Sequence, residues 1–210
     1  MKYKNVIFDM DGVLIDNSEG IKYCVRKAIS ELGLKELSDG ELTKFIGPAL
    51  MYSLKEYAGA TDEQSEQGYL IYRKYYLEKG IKMYRLYDGV RETLAELNAH
   101  GVRCSVSSGK PIECVNIILG DSDTAKYFEK AAGSVKAKKY SSKDAQMREA
   151  VLERPAVMVG DRVFDLEAAK NANVDCIYAR YGFGDESDTA VYKPKFYIDS
   201  PREILDIVLK

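Results

Sequence analysis

Asn5-Val-Ile-Phe-Asp-Met-Asp-Gly-Val13 is the stretch on which the fold turns. Asn5–Phe8 is a short apolar run that ends abruptly in acidic residues and a glycine. Runs of this kind suit a parallel strand buried on both faces. Similar runs recur at Val102–Val106, Ala156–Val159 and Val174–Tyr178, with a further one at Lys195–Ile198. Helical patterns separate them. Val90, Leu94 and Leu97 fall on one face, with Asp88 as the expected N-cap and Gly101 as the stop. Ser200-Pro-Arg-Glu203 reads as a capping box with proline at the first helical position. Strands alternating with helices predict an α/β fold, a doubly wound parallel sheet of Rossmann-like form.

From about Ser18 to Arg85 the alternation stops. Ile21, Val25, Ala28, Ile29 and Leu32 form a helical stripe that Gly33 ends, Gly47-Pro48 interrupts the next segment, and Glu63–Lys79 reads as a long helix closed by Gly80. The expectation is a small all-helical domain over residues 17–85, inserted into a core made of residues 1–16 and 86–210. Tyr69, Tyr72 and Tyr76 share a face of the long helix, which reads as packing.

Composition narrows the function classes. The 210 residues carry 31 Lys and Arg against 33 Asp and Glu, a formal charge of −2, so no basic field invites nucleic acid. With 46% hydrophobic and 30% charged residues the chain can bury a core and remain soluble. No apolar run approaches the roughly 20 residues needed to span a bilayer. Acids at Asp9, Asp11 and Asp16 interrupt any signal-peptide core, so a cytoplasmic protein is expected. Cys24, Cys104, Cys114 and Cys176 are scattered and His100 is the single histidine, which disfavours a zinc site and His-based catalysis. His100 sits at a helix end, where a cation suits the dipole.

The chemistry gathers at the strand ends. Asp9 and Asp11 are two apart in extended chain, so both carboxylates can face one site. Gly160-Asp161-Arg-Val-Phe-Asp165 repeats the arrangement after another strand, with Asp161 in the loop and Asp165 one turn into the following helix. Capping would account for one acid at a helix start, but not for acids at two strand ends of one sheet. Several carboxylates converging there suit a hard cation with oxygen ligands, such as Mg²⁺. Ser107-Ser-Gly-Lys-Pro111 follows a third strand; its hydroxyls and backbone N–H groups, at Ser108 and Gly109, are good phosphate donors, although a polar turn would look the same. Lys143, in the first turn of an expected helix, opposes the helix dipole unless it reaches an anion. Lys136, Lys138 and Lys139 read as an exposed charge run.

These residues resemble the haloacid dehalogenase (HAD) superfamily of phosphotransferases, and within it the phosphoglycolate phosphatase-like branch. Its four motifs appear in order across essentially the whole chain: Asp9-x-Asp11-Gly-Val, Ser108 closing Val106-Ser-Ser, Lys143, and Gly160-Asp161-x3-Asp165. The helical insertion resembles that family's cap domain, and Phe45-Ile-Gly-Pro-Ala-Leu50 its cap loop, with Ala49 where a second proline is common. The resemblance implies a HAD-type core and a mechanism. Asp9 would be the nucleophile, forming an aspartyl-phosphate. Asp11 would act as acid and then base. Mg²⁺ would be held by Asp9, the Asp11 carbonyl and Asp161, with Asp165 in support. Ser108, Gly109 and Lys143 would hold the phosphoryl group.

The expected activity is a Mg²⁺-dependent phosphatase acting on a small phosphorylated metabolite. A β-phosphoglucomutase-like phosphotransferase is the nearest alternative, although such mutases tend to carry Glu-Asp-Ser where this chain has Gly160-Asp161-Arg162. A non-catalytic metabolite-binding family member is the other. A dehalogenase is disfavoured by Asp11, an acid/base that dehalogenation does not use. By the resemblance the cap contacts the leaving group, and Lys44 and Arg73 are its candidate substrate residues; each also reads as a solvated surface charge. Phosphoglycolate-like, nucleotide and sugar phosphates all remain open as substrates. No nucleic-acid or membrane partner is expected, and the chain would be a monomer or homodimer.

Overall fold

The computed structural model of the chain describes residues 1–134, 143–185 and 187–210. The expected charge run Lys136, Lys138 and Lys139 lies outside the described residues, as do Ser141 and Ser142. The strands are β1 (Asn5–Phe8), β2 (Ile15–Asp16), β3 (Arg85–Leu86), β4 (Arg103–Pro111), β5 (Lys130–Ser134), β6 (Ala156–Gly160), β7 (Asp175–Ala179) and β8 (Phe196–Ile198). The helices are α1 (Ser18–Glu31), α2 (Asp39–Thr43), α3 (Leu50–Ala58), α4 (Asp62–Glu78), α5 (Val90–Ala99), α6 (Ile112–Asp121), α7 (Asp144–Ala150), α8 (Val163–Asn171), α9 (Asp188–Val191) and α10 (Glu203–Leu209). The chain divides into two compact units, Met1–Asp16 with Leu86–Lys210, and Asn17–Arg85.

The larger unit is an α/β fold around a parallel sheet ordered β5-β4-β1-β6-β7-β8, with β2 and β3 forming a separate two-stranded ribbon. All four residues of β1 are buried. A side chain such as Ile7 or Phe8 contributes about 1.5–3 kcal/mol by leaving water. β1 lies between β4, where Asn5 aligns with Arg103, and β6, where Asn5 aligns with Ala156. The chain winds outward from β1 through β4 to β5, then returns to the other side through β6, β7 and β8. The strand order therefore reverses between β1 and β6, and a crevice at such a switch point is where open α/β sheets bind ligands.

The strands fall where the apolar runs place them, with two differences among the strands and two at helix starts. β5, Lys-Ala-Ala-Gly-Ser, has no β-branched or aromatic residue and is identified only by its pairing with β4. Ser107–Pro111, expected as a loop, continues β4, with its register shifting between Ser107 and Pro111. The N-cap of α5 is Gly89 at φ 89°, not Asp88. At α10 the Ser200 hydroxyl does donate to Glu203 at 3.1 Å, but the helix begins at Glu203 rather than at Pro201. The four cysteines are buried free thiols, and His100 caps α5 with Nδ1 2.9 Å from the Glu96 carbonyl.

The smaller unit is all helical. α1 packs against α4, α4 against α3, and α2 against α1. Two capping boxes set its helix starts. Ser38 and Glu41 open α2, and Thr61 and Gln64 open α4 with reciprocal bonds of 3.0 and 3.1 Å. The tyrosine face of α4 is packing, with Tyr76 buried and its ring stacked on Tyr72 at 5.6 Å. Among the described residues no helix is long and apolar enough to cross a membrane.

Candidate active site

At the carboxyl end of β1 the chain turns sharply. The N–H groups of Leu14 and Ile15 both donate to the Met10 carbonyl at 3.0 Å, and Gly12 adopts φ 83°. A Cβ on Gly12 would lie 2.0 Å from Asp161 Oδ2, so glycine is required both by the turn and by this close approach. The first acidic loop is thereby laid against the second. Asp161 follows β6, and Asp165 is the third residue of α8, where its Oδ2 accepts the Arg162 N–H at 3.1 Å.

Asp9, Asp161 and Asp165 converge. All three are buried, and each offers a carboxylate oxygen within 4.8 Å of the others. Lys143, the N-cap of α7, places Nζ 2.8 Å from Asp9 Oδ1 and 2.6 Å from Asp165 Oδ1. The cation that opposed its helix dipole thus finds its anions. Gly109 borders the same lysine, since a Cβ there would lie 3.8 Å from Lys143 Cε. Ser108 is buried, and its Oγ accepts the Lys110 N–H at 3.2 Å. Asp11 is not one of these three carboxylates; its Oδ2 lies 3.1 Å from Lys110 Nζ, whose side chain is only 7% exposed. Lys44 and Arg73 belong to the helical unit, where both are exposed and Lys44 Nζ lies 5.7 Å from the Tyr57 ring centre.

Three buried carboxylates around one ammonium leave the cluster short of positive charge. Burial pushes the Asp9 carboxyl up to about 7; Lys143 opposes the rise, and Asp165 and Asp11 add to it. Asp161 is raised well above the usual carboxylate range, by burial first and then by Asp165 and Asp9. Burial would lower the Lys143 ammonium, but Asp165 and Asp9 outweigh it and hold its pKa above the ordinary lysine value. Asp165 has one oxygen on Lys143 and the other on a backbone N–H. Asp161 Oδ2 accepts the Phe183 N–H at 2.7 Å, whereas its buried Oδ1 has no hydrogen-bond partner among the described residues. An all-oxygen donor set with an unpartnered buried carboxylate oxygen fits a hard divalent cation.

A pH dependence follows. Folded Asp9 keeps a proton up to about pH 7 that the unfolded chain releases near 3.8, so its contribution favours the fold in acid and is lost as pH rises through that window. Carboxylates held below their usual range, such as Asp39 and Glu129, act oppositely, but only below about pH 4–5. Between pH 5 and about 7 the metal-free protein should therefore lose thermal stability, and Asp9→Asn should flatten the slope. Melting curves in EDTA check this; a slope that survives Asp9→Asn would place its origin elsewhere.

Sequence reasoning did not find three contributors: the pairing of Lys110 with Asp11, the Phe183 N–H on Asp161, and the packing of Gly182 against both acidic loops, where a Cβ would lie 2.4 Å from Asp161 Cβ and 2.6 Å from the Gly12 carbonyl. The available signal was Gly182-Phe-Gly184 shortly after the Val174–Tyr178 apolar run, a glycine-rich loop at another strand end of the same sheet.

Known proteins are similar to this chain along nearly its whole length. A 5'-nucleotidase from Pseudomonas aeruginosa is 30% identical over 202 residues, 94% of this chain and 91% of its own. The tyrosine-protein kinase PtkA of Mycobacterium tuberculosis is 32% identical over 213 residues, 96% of this chain and 72% of its own. A phosphoglycolate phosphatase from Aquifex aeolicus is 28% identical, covering 97% and 95% respectively. The crystal structure of a protein from Clostridium acetobutylicum described as a predicted phosphatase superposes with a TM-score of 0.90 at 30% identity, over 100% of this chain and 99% of that one. Residues 6–179 match the haloacid dehalogenase-like hydrolases, and with the motifs in order at the strand ends of this sheet, the chain belongs to that family.

Proposed function

We propose that the protein is a Mg²⁺-dependent phosphatase that hydrolyses a small phosphorylated metabolite through a phosphoryl group carried on Asp9. The convergence of Asp9, Asp161 and Asp165 on Lys143 at the β1/β6 switch point carries this reading. Asp9, Asp161 and the Asp11 carbonyl would hold the cation, with Asp165 fixing Lys143 beside them. When bound, Mg²⁺ neutralises charge on the carboxylates and on the phosphoryl oxygens.

Asp9 attacks phosphorus, and the bond to the leaving oxygen breaks as Asp11 gives that oxygen a proton. Asp11, now a carboxylate, takes a proton from the water that attacks the phosphorus, freeing phosphate and restoring Asp9. Lys110 holds the Asp11 side chain through both steps. Ser108, the Gly109 N–H and Lys143 bind the phosphoryl oxygens. Phosphoryl transfer depends chiefly on such positioning and charge neutralisation, so a site without histidine or cysteine suffices.

We assign the helical unit, Asn17–Arg85, the role of a cap over the substrate, with Lys44 and Arg73 as its leaving-group contacts. Similar proteins carry the names nucleotidase, phosphoglycolate phosphatase and tyrosine kinase, so membership of the family does not by itself select the substrate. Phosphate release from nucleoside monophosphates, phosphoglycolate and sugar phosphates tests the reading. Release is expected with Mg²⁺, concentrated on one compound class and abolished by EDTA. Release indifferent to EDTA, or silence across the panel with a bisphosphorylated sugar accumulating instead, would overturn it.

A further inference from the structure

Beyond the motif residues, one buried carboxylate of the larger unit joins two segments that the proposed mechanism treats separately. Asp188 is 7% exposed. Its Oδ1 accepts the Val163 N–H at 2.9 Å, its Oδ2 accepts the Asp185 N–H at 3.0 Å, and Arg162 Nε lies 3.3 Å from that same Oδ2. Capping α8 would use a single oxygen. Asp188 spends both, one on the start of α8 and one on the loop after β7, and charge-assisted bonds of this kind are about twice as strong as neutral ones.

That loop determines how Asp161 stands. The Phe183 N–H occupies Asp161 Oδ2. Gly182 and Gly184 lie so close that a Cβ would meet Asp161 Cβ at 2.4 Å and the Asp161 carbonyl oxygen at 1.8 Å. The far end of the loop is tied by the Tyr178 hydroxyl, which donates to the Asp185 carbonyl at 3.0 Å. Asp161 is itself fully buried, with Oδ1 unpartnered among the described residues.

We propose that Asp188 is a positioning residue for the cation site: it locks the Tyr181–Asp185 loop to the start of α8, so that Phe183 claims one oxygen of Asp161 and the other is kept for the metal. This rests on the reading of Asp9 and Asp161 as cation ligands. An aspartate is needed because asparagine offers one acceptor where two N–H groups must be met. Outer partners of this kind shift metal affinity by about 10–100-fold.

The test is Mg²⁺ binding by titration calorimetry without substrate, at a temperature well below each variant's melting point. Wild type should bind one Mg²⁺ and Asp161→Asn should lose it; if wild type binds none, the cation reading fails. Given wild-type binding, Asp188→Asn should weaken it by about tenfold or more. A lower melting temperature with unchanged Mg²⁺ affinity would show a merely structural role and overturn the proposal. Tyr178→Phe, which removes the second bond to Asp185 with little change of volume, should weaken Mg²⁺ in the same direction by about threefold, as expected for the loss of one neutral hydrogen bond. Should Asp188→Asn fail to fold, unchanged affinity in Tyr178→Phe overturns the proposal by itself.

Discussion

Asp9→Asn is expected to abolish phosphate release while leaving the protein folded. The side-chain amide cannot attack phosphorus or leave as a carboxylate, and removing a covalent nucleophile costs on the order of 10⁴-fold or more in turnover. The stability consequence runs the other way. Asp9 is buried beside Asp161 and Asp165, and Lys143 keeps its 2.6 Å contact to Asp165 when Asp9 is neutralised. One member of a repelling group is thereby removed and the ammonium is still paired. In EDTA the variant should melt no lower than wild type at pH 8, and above it if repulsion dominates the cluster. A phosphate assay and a thermal melt on the same preparation separate the two effects. Retained phosphate release would remove Asp9 from the nucleophile's role; lost release with a collapsed melting temperature would mean that the carboxylate holds the fold.

Lys143→Ala should differ in its effect on stability. Its ammonium is paired with Asp9 and Asp165 at a side-chain exposure of 11%, and the cluster's third carboxylate, Asp161, is wholly buried. Removing one partner of a buried ion pair leaves uncompensated charge and costs about 3–5 kcal/mol. The loss should be largest in EDTA at pH 8, smaller at pH 5 where Asp9 and Asp161 can take up protons, and smaller again in Mg²⁺, which supplies the missing positive charge. Urea unfolding under these three conditions measures it. An equal loss in all three would show that Lys143 contributes through packing rather than charge.

The frame of the molecule was legible because it is written in short apolar runs. Val6, Ile7 and Phe8, or Val157, Met158 and Val159, cannot be anything but interior in a chain this charged. An acid after each of two such runs pointed to the crevice between them. β5 was illegible for the converse reason: an alanine- and glycine-rich segment takes its conformation from its neighbour β4 rather than from its own preference. Within the site, the carboxylates could be named because acids recur at two strand ends, and Lys143 because it opposes its helix dipole. Lys110 and Asp188 break none. A lysine after Gly109 or an aspartate opening a four-residue helix looks like ordinary surface, and only the folded chain brings Lys110 to Asp11 and Asp188 to α8.

The place of β1 in the sheet also bears on how the protein is made. Among the strands of this sheet it is synthesised first, yet its neighbours begin at Arg103 and Ala156. Closing such long loops is slow, and until they close a strand that ends up buried on both faces waits without partners. The helical unit draws its contacts from one continuous stretch, Asn17–Arg85, and can settle meanwhile. The unfinished chain thus carries a sticky apolar strand ahead of a nearly completed helical insert. Lys2 and Lys4 before β1, and Asp9 and Asp11 after it, put charge on both flanks of that strand, as gatekeeper residues do beside aggregation-prone segments. The carboxylates of this acidic loop would first serve to keep the nascent chain apart from its copies.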